Sequence, residues 1–389
     1  QLLISYRDGQ GYQEELAALS AAINNDETIT YQWVVEELGP DNDTVRDISV
    51  QGDQVVATLG LGAADGQWGS PILRSYNAET GIPEWEISIG TEDQTLISGV
   101  SHSPDGSIFV TGLTRESIGD QAYAGASDAW IAKVQRNGEQ IWFRNFSNEL
   151  EDGLSSLSVD SDGNAYMSGT LSRYGYLSGT GFYYSDYAYL GGNVTYEGAS
   201  FTGNWMSATR KVNPEGDILW TKVDGSFNSG GGLSFMDGNT RLLKSAYTFA
   251  PVNGQSMVPG RDNGSGANVN DYLISYTPSG DVEWTRMRPG ISAITANKST
   301  HEIFLALYDS SGQEIEKLSP SGESLWKKSI ASRASKIIID NSGNINIFSM
   351  ESVTSISHLV WDSQGDLLLD EFYETNGEGS ASDIEIDPN

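Results

Sequence analysis

Seven tyrosines crowd residues 173–203: Tyr174, Tyr176, Tyr183, Tyr184, Tyr187, Tyr189 and Tyr196, with Phe182, Phe201 and seven glycines among them. Tyrosine offers a flat apolar face and a hydroxyl at low entropic cost, which suits sugar stacking or a protein contact. The same rings could instead bury one another in a small core of their own. A second chemistry belongs to carboxylates. Asp93, Glu151, Asp152 and Asp224, with Glu92, Glu149, Glu374 and Glu378, fall between strand-like runs. Such groups could hold Ca²⁺, which takes six to eight oxygens, or simply form a solvated acidic rim.

Other reactive types are sparse. There is no cysteine, so thiolate metal sites and cysteine nucleophiles are excluded. The three histidines, His102, His301 and His358, show neither zinc-ligand nor Ser–His–Asp spacing and read as structural. Asp160 to Asn164, "DSDGN", starts like a calcium loop but lacks the distal bidentate Glu, so it reads as a hairpin turn. No redox cofactor or zinc is expected, with calcium left open. The pattern points away from an enzyme; a carbohydrate-active enzyme using carboxylates is the alternative.

The elements that would carry these groups repeat. "DAWIAKVQRNGEQIW" (128–142) has counterparts in "SATRKVNPEGDILW", "YLISYTPSGDVEW" and "EIEKLSPSGESLW", each an alternating run, a Gly turn and a run closing on Trp. Runs joined at Asp-Gly or Ser-Gly precede them, as in "LISGVSHSPDGSIFVTGLT" (96–114). The unit is therefore four short strands, A to D. Trp33, Trp85, Trp142, Trp220, Trp284 and Trp326 mark strand D, with Leu369 in the corresponding place. The shortest spacings, 42 and 43 residues, are those of a bare β-propeller blade. These tryptophans are expected to pack between neighbouring sheets.

The expected fold is all-β: one seven-bladed propeller of four-stranded blades filling 1–389. Blades span about 44–90, 96–147, 154–225, 232–290, 291–331 and 335–375, with 381–389 joined to 1–38 as the last. In that shared blade "QLLISYRDG" reads as strand C and "ITYQWVVEEL" as strand D, while strand B is not visible. Between them Leu16, Leu19 and Ile23 have helical spacing, predicting a short helix near 11–24. The longer spacings are insertions between strands B and C, at 115–126, 173–203 and 250–269, which would raise a wall on one face.

"DAWIAKVQRNGEQIWFRNFS" (128–147), followed by "EDGLSSLSVDSDGNAYMSGTLS" (151–172), resembles the bacterial SBBP β-propeller repeat, strongly over 96–225. "YNAETGIPEW" in the first blade resembles the tryptophan-docking repeat of quinoprotein-like propellers. The SBBP resemblance implies a seven-bladed ring in large secreted or surface bacterial proteins; it implies no activity and brings no catalytic motif.

Composition sets the partners. With 22 Lys+Arg against 53 Asp+Glu the net charge is −31, which argues against nucleic acid and anionic membranes. No apolar stretch reaches the 18 residues of a span, so membrane insertion is not expected. Gln1 opens inside a strand-like run, as a processed or trimmed start would. The reading that results is an extracellular or cell-surface propeller whose Tyr-rich face binds a glycan or a protein, a further copy of itself included; a structural, self-assembling surface-layer or filament component is a further alternative.

Overall fold

In the computed structural model the described residues are 2–7, 14–20, 30–36, 42–63, 69–122, 127–146, 151–172, 174–176, 187–189, 194–196, 199–201, 205–227, 234–237, 241–247, 271–288, 290–309, 312–352, 355–374 and 383–386. Near the N-terminus lie β1 (Leu2–Arg7), β2 (Glu14–Ser20) and β3 (Thr30–Glu36). Blade one is β4 (Asn42–Gln51), β5 (Gln54–Ala63), β6 (Ser70–Asn77) and β7 (Pro83–Ser88). Blade two is β8 (Thr95–His102), β9 (Ile108–Thr114), β10 (Asp128–Val134) and β11 (Gln140–Asn145). Blade three begins with β12 (Glu151–Val159) and β13 (Ala165–Ser172). Four short strands follow: β14 (Tyr174–Tyr176), β15 (Tyr187–Tyr189), β16 (Val194–Tyr196) and β17 (Ala199–Phe201). The blade is completed by β18 (Trp205–Val212) and β19 (Ile218–Phe227).

Blade four is β20 (Ser234–Asp237), β21 (Arg241–Tyr247), β22 (Asp271–Tyr276) and β23 (Val282–Met287). Blade five is β24 (Ile291–Ala296), β25 (Ile303–Asp309), β26 (Gly312–Leu318) and β27 (Ser324–Ile330). Blade six is β28 (Ala334–Ile339), β29 (Ile345–Ser352), β30 (Ser355–Trp361) and β31 (Leu367–Glu374), and β32 (Asp383–Ile386) follows. Every pairing within the blades is antiparallel. The chain is thus an all-β propeller with six blades of consecutive strands among the described residues, one fewer than the seven expected.

A further four-stranded sheet draws on both ends of the chain, in the order β3-β2-β1-β32. It corrects two expectations. The segment expected to be helical holds strand β2, which pairs with β1 (Leu16 opposite Ser5) and with β3 (Leu16 opposite Val35). Its Glu, Leu and Ala favour a helix locally, but pairing on both edges overrides that weak preference. Consequently β1 occupies the second place in this sheet, not the third, and the strand that seemed missing is "LLISYR" itself.

The first strands of successive blades touch around the centre: β4 with β8, β8 with β12, β12 with β20, β20 with β24, and β24 with β28. The core lies between the sheets rather than within one. Val56 and Leu73 of blade one join Ile97, Ile108 and Trp130 of blade two. Phe304 and Ile315 of blade five join Ile337 and Trp361 of blade six.

The tryptophan ruler has a physical meaning. In blades one to four the outer-strand indole packs on the next blade and donates to the carbonyl of that blade's last turn. Trp85 reaches Arg136 O at 2.8 Å, Trp142 reaches Pro214 O at 3.0 Å, Trp220 reaches Pro278 O at 3.0 Å and Trp284 reaches Pro320 O at 3.2 Å. The turn must bring its backbone flat against the ring. Gly280 does so at φ +84°, where an added Cβ would lie 2.9 Å from Trp220 Cδ2. The series stops at blade five: Trp326 lies against Trp361, centroids 6.2 Å apart, and its indole nitrogen is buried without an acceptor. Lys317 Nζ takes the equivalent carbonyl, Ser363 O, at 2.9 Å. Trp142→Phe should therefore cost about 1 kcal/mol in urea unfolding, for the lost bond. Trp326→Phe should cost less, because it removes a buried unpaired donor; equal costs would refute this account of the indoles.

Candidate functional site

The 173–203 insertion lies between β13 and β18, the second and third strands of blade three. It holds two small ribbons. In one, Tyr174 is opposite Tyr189 and Tyr176 opposite Tyr187. In the other, Tyr196 is opposite Ala199. Residues two apart on a strand, and residues directly opposite, share a face. Tyr174, Tyr176, Tyr187 and Tyr189 therefore hold positions on one face of their ribbon, with Gly175 and Ala188 on the other. Strand β14 lies beside β12, and β17 beside β19. Tyr183 and Tyr184 lie outside the described residues, as do the insertion at 250–269 and residues Glu149 and Glu378.

The carboxylates considered for calcium sit apart in role. Asp93 closes a loop: it adopts φ 60°, and its Oδ1 accepts the Gly69 amide at 3.0 Å. Glu151 and Asp152 are strand residues of β12, opposite Ser172 and Leu171, and Asp224 is a strand residue of β19, opposite Ser207. Among the described residues no group of three or more His, Asp or Glu side chains is placed to hold a metal ion. Asp160 is the hinge of a hairpin turn, accepting Asn164 N at 2.8 Å, Asp162 N at 3.1 Å and the Tyr166 hydroxyl at 3.0 Å. Burial, then the charge of Asp160, raises the Tyr166 hydroxyl far above its usual range. Turn residue Asp105 shows the opposite balance. Burial alone would raise its carboxyl, but bonds from Ser107 and then Lys133 bring it down to about 2.

A polar chain that spacing could not reveal joins blades one and two. Gln54 Nε2 donates to Ser75 Oγ at 2.8 Å and to Arg136 O at 2.8 Å, and Ser75 donates to Glu84 Oε2 at 3.0 Å. The Gln54 carbonyl oxygen thereby faces His102 Nε2 at 3.4 Å, assigning the ring proton to Nε2. His102 Nδ1 then accepts from the Ser49 hydroxyl at 2.9 Å, while Ser49 Oγ accepts the His102 amide at 3.1 Å. Burial, then the charge of Arg136, lowers the His102 imidazole to about 4, so it is neutral at pH 7. With its proton given to His102 Nδ1 and a lone pair taken by the His102 amide, the Ser49 hydroxyl is engaged on both counts inside the chain, and the arrangement is a strut between blades. The partners come from two repeats, which is why residue spacing carried no sign of it. His358 is likewise internal, stacked on Phe348 with centroids 4.4 Å apart and bonded through Nε2 to Asn346 Oδ1 at 3.0 Å.

No helix is long and apolar enough to cross a membrane among the described residues. No family model matches the chain, and no curated protein matches it. Its likeness is to solved structures. A catalytically inactive virginiamycin B lyase from Staphylococcus aureus with quinupristin is 13% identical, with a TM-score of 0.50 over 87% of each chain. Selenomethionine-substituted virginiamycin B lyase from the same organism is 11% identical, with a TM-score of 0.47 over 97% of this chain and 89% of that one. BamB from Moraxella catarrhalis is 12% identical, with a TM-score of 0.39 over 89% of this chain and 88% of that one. At such identities likeness speaks to fold alone; the strand order of the blades described above identifies the chain as a β-propeller, and the first of these structures, at a TM-score of 0.50, agrees with it.

Proposed function

We propose that this is a non-enzymatic binding propeller of the cell exterior or surface, which engages a glycan or a protein through the tyrosine ribbon of blade three. The observation that carries this reading is the register Tyr174–Tyr189 and Tyr176–Tyr187, which gathers four tyrosine positions on one face opposite Gly175 and Ala188. Sorting the rings from the small residues makes one continuous aromatic face, which a ligand can cover or the ribbon's own packing can bury. The exterior setting is supported by the strongly acidic composition and the SBBP resemblance. In this reading the sheet β3-β2-β1-β32 is a seventh blade that closes the ring. Its support is that β32 lies against β28 on one side and β4 on the other.

The test uses a glycan array and a surface-protein library to find the ligand, then a variant with Tyr174, Tyr176, Tyr187 and Tyr189 all changed to Ser. Losing one aromatic anchor typically costs at least about 2 kcal/mol, roughly 30-fold in affinity. The variant should bind at least that much more weakly and melt close to the parent. A large fall in melting temperature with binding intact would show that the rings serve only the ribbon's own packing. Turnover of polysaccharide by the unmodified protein, abolished by one carboxylate substitution, would move the protein into the enzyme class.

A further inference from the structure

Among the described residues the outer strand of each blade has one edge without a hydrogen-bonded neighbour, and two of these edges are complementary. Strand β27 ends the sheet of blade five and β31 ends the sheet of blade six. On β27 the residues Leu325, Lys327 and Ser329 are exposed; on β31 the exposed residues include Leu368, Asp370 and Phe372 at the same three repeat positions. Leu367, Leu368 and Phe372 are 56, 57 and 57% exposed, so this one strand displays three large apolar side chains. An edge with exposed apolar side chains is a template for another strand, and the charges it carries, Lys327 and Lys328 on β27 and Asp370, Glu371 and Glu374 on β31, select which strand can pair with it. Antiparallel pairing of the two edges places Leu325 against Phe372, Lys327 against Asp370 and Ser329 against Leu368.

Charge decides which edges can meet. Two β31 edges would oppose Asp370 to Asp370, and two β27 edges would oppose Lys327 to Lys327. Only β27 with β31 brings opposite charges together. Strand β7 also has an acid at the middle position, Glu86, but Arg74 holds it at 2.6 Å, and the strand opens on Pro83, which cannot donate to a ladder. Lys327 stays 44% exposed, and its own contacts, to Glu314 at 3.5 Å and Glu316 at 3.9 Å, are long. Glu316 is taken by Arg288 at 2.7 Å.

We propose that the protein self-associates head to tail, the β27 edge of one copy pairing with the β31 edge of the next. The two patches differ, so the contact is heterologous and propagates into a ring or an open filament rather than stopping at a dimer. It is separate from the tyrosine ribbon and leaves that face free.

Sedimentation of the whole chain across a range of concentrations, at about 0.15 M salt to screen the overall negative charge, tests this. The unmodified protein should grow in mass with concentration. Lys327→Asp alone and Asp370→Lys alone should each weaken association about tenfold or more, since each opposes like charges. The double variant carrying both changes restores an opposite pair and should recover assembly, as should an equimolar mixture of the two single variants. Both side chains are exposed, and unchanged thermal melts would confirm that the variants fold. A monomer at every concentration overturns the proposal. So does assembly indifferent to both reversals, or a double variant no better than the singles.

Discussion

Gly112→Ala is expected to cost the propeller about 4 kcal/mol or more, enough to abolish cooperative melting under mild conditions. Gly112 sits mid-strand in β9, opposite Trp130 on one side and Ile97 on the other. A Cβ there would lie 1.8 Å from Leu96 O and 2.5 Å from Trp130 Cζ2. Neither can yield: the first is ladder backbone, and Trp130 is wholly buried and stacked on Phe143 at 5.3 Å. Gly106→Ala makes the control. Gly106 has φ +81° with nothing within 4 Å of the added Cβ, so only the backbone preference is lost, about 1–2 kcal/mol. The measurement is thermal and urea unfolding of both variants. A Gly112→Ala protein that melts with the parent would mean that β8, β9 and β10 are not packed as described.

The second large effect is a loss of stability in acid. His102 and His358 are both held neutral, each lowered from 6.5 to about 4 by burial, with the Arg136 charge adding to the effect on His102. The unfolded chain binds these two protons at about pH 6.5. Between there and about pH 4 the unfolded state therefore carries more protons than the folded one, and stability rises with pH across that window. Lowering the pH from 7 to 4 should remove up to about 3 kcal/mol for each histidine. Relief of repulsion opposes this as the net charge of −31 shrinks toward the sequence pI of about 4.2. Urea midpoints read at half-unit steps should fall through that window in the parent. They should fall less in His102→Gln and His358→Gln proteins, and least in the double variant. Identical slopes in all four proteins would sink the assignment.

Much of this architecture was legible in the residues. The Gly turns and Trp142, Trp220, Trp284 and Trp326 mark third and fourth strands that do form hairpins, because each hairpin is local and its turn chemistry is explicit. The helix expected around Leu16 failed for the complementary reason. Its alternative, strand β2, is chosen by partners outside the segment, and one of them, β1, pairs on its other edge with β32 at the far end of the chain. The candidate site divides in the same way. Tyrosine density was visible as composition, but its sorting onto one face needed the register of β14 against β15. The Ser49–His102–Gln54 strut was invisible because it forms only when two blades meet.

The sheet made from both chain ends also bears on how the fold is reached. Blade five assembles from residues 291 to 330, so its hairpins can form while the rest of the chain is still searching. The sheet β3-β2-β1-β32 needs Leu2 beside Ile386, a contact spanning nearly the whole sequence. Closing so long a loop costs only a little more than closing a short one, because the entropy grows with the logarithm of length. What it lacks is an early reward, since among the described residues β32 supplies four residues of pairing, Asp383 to Ile386. Blades accumulating independently and one late, weakly driven joining step make a folding reaction whose rate is governed by topology rather than by the strength of any blade.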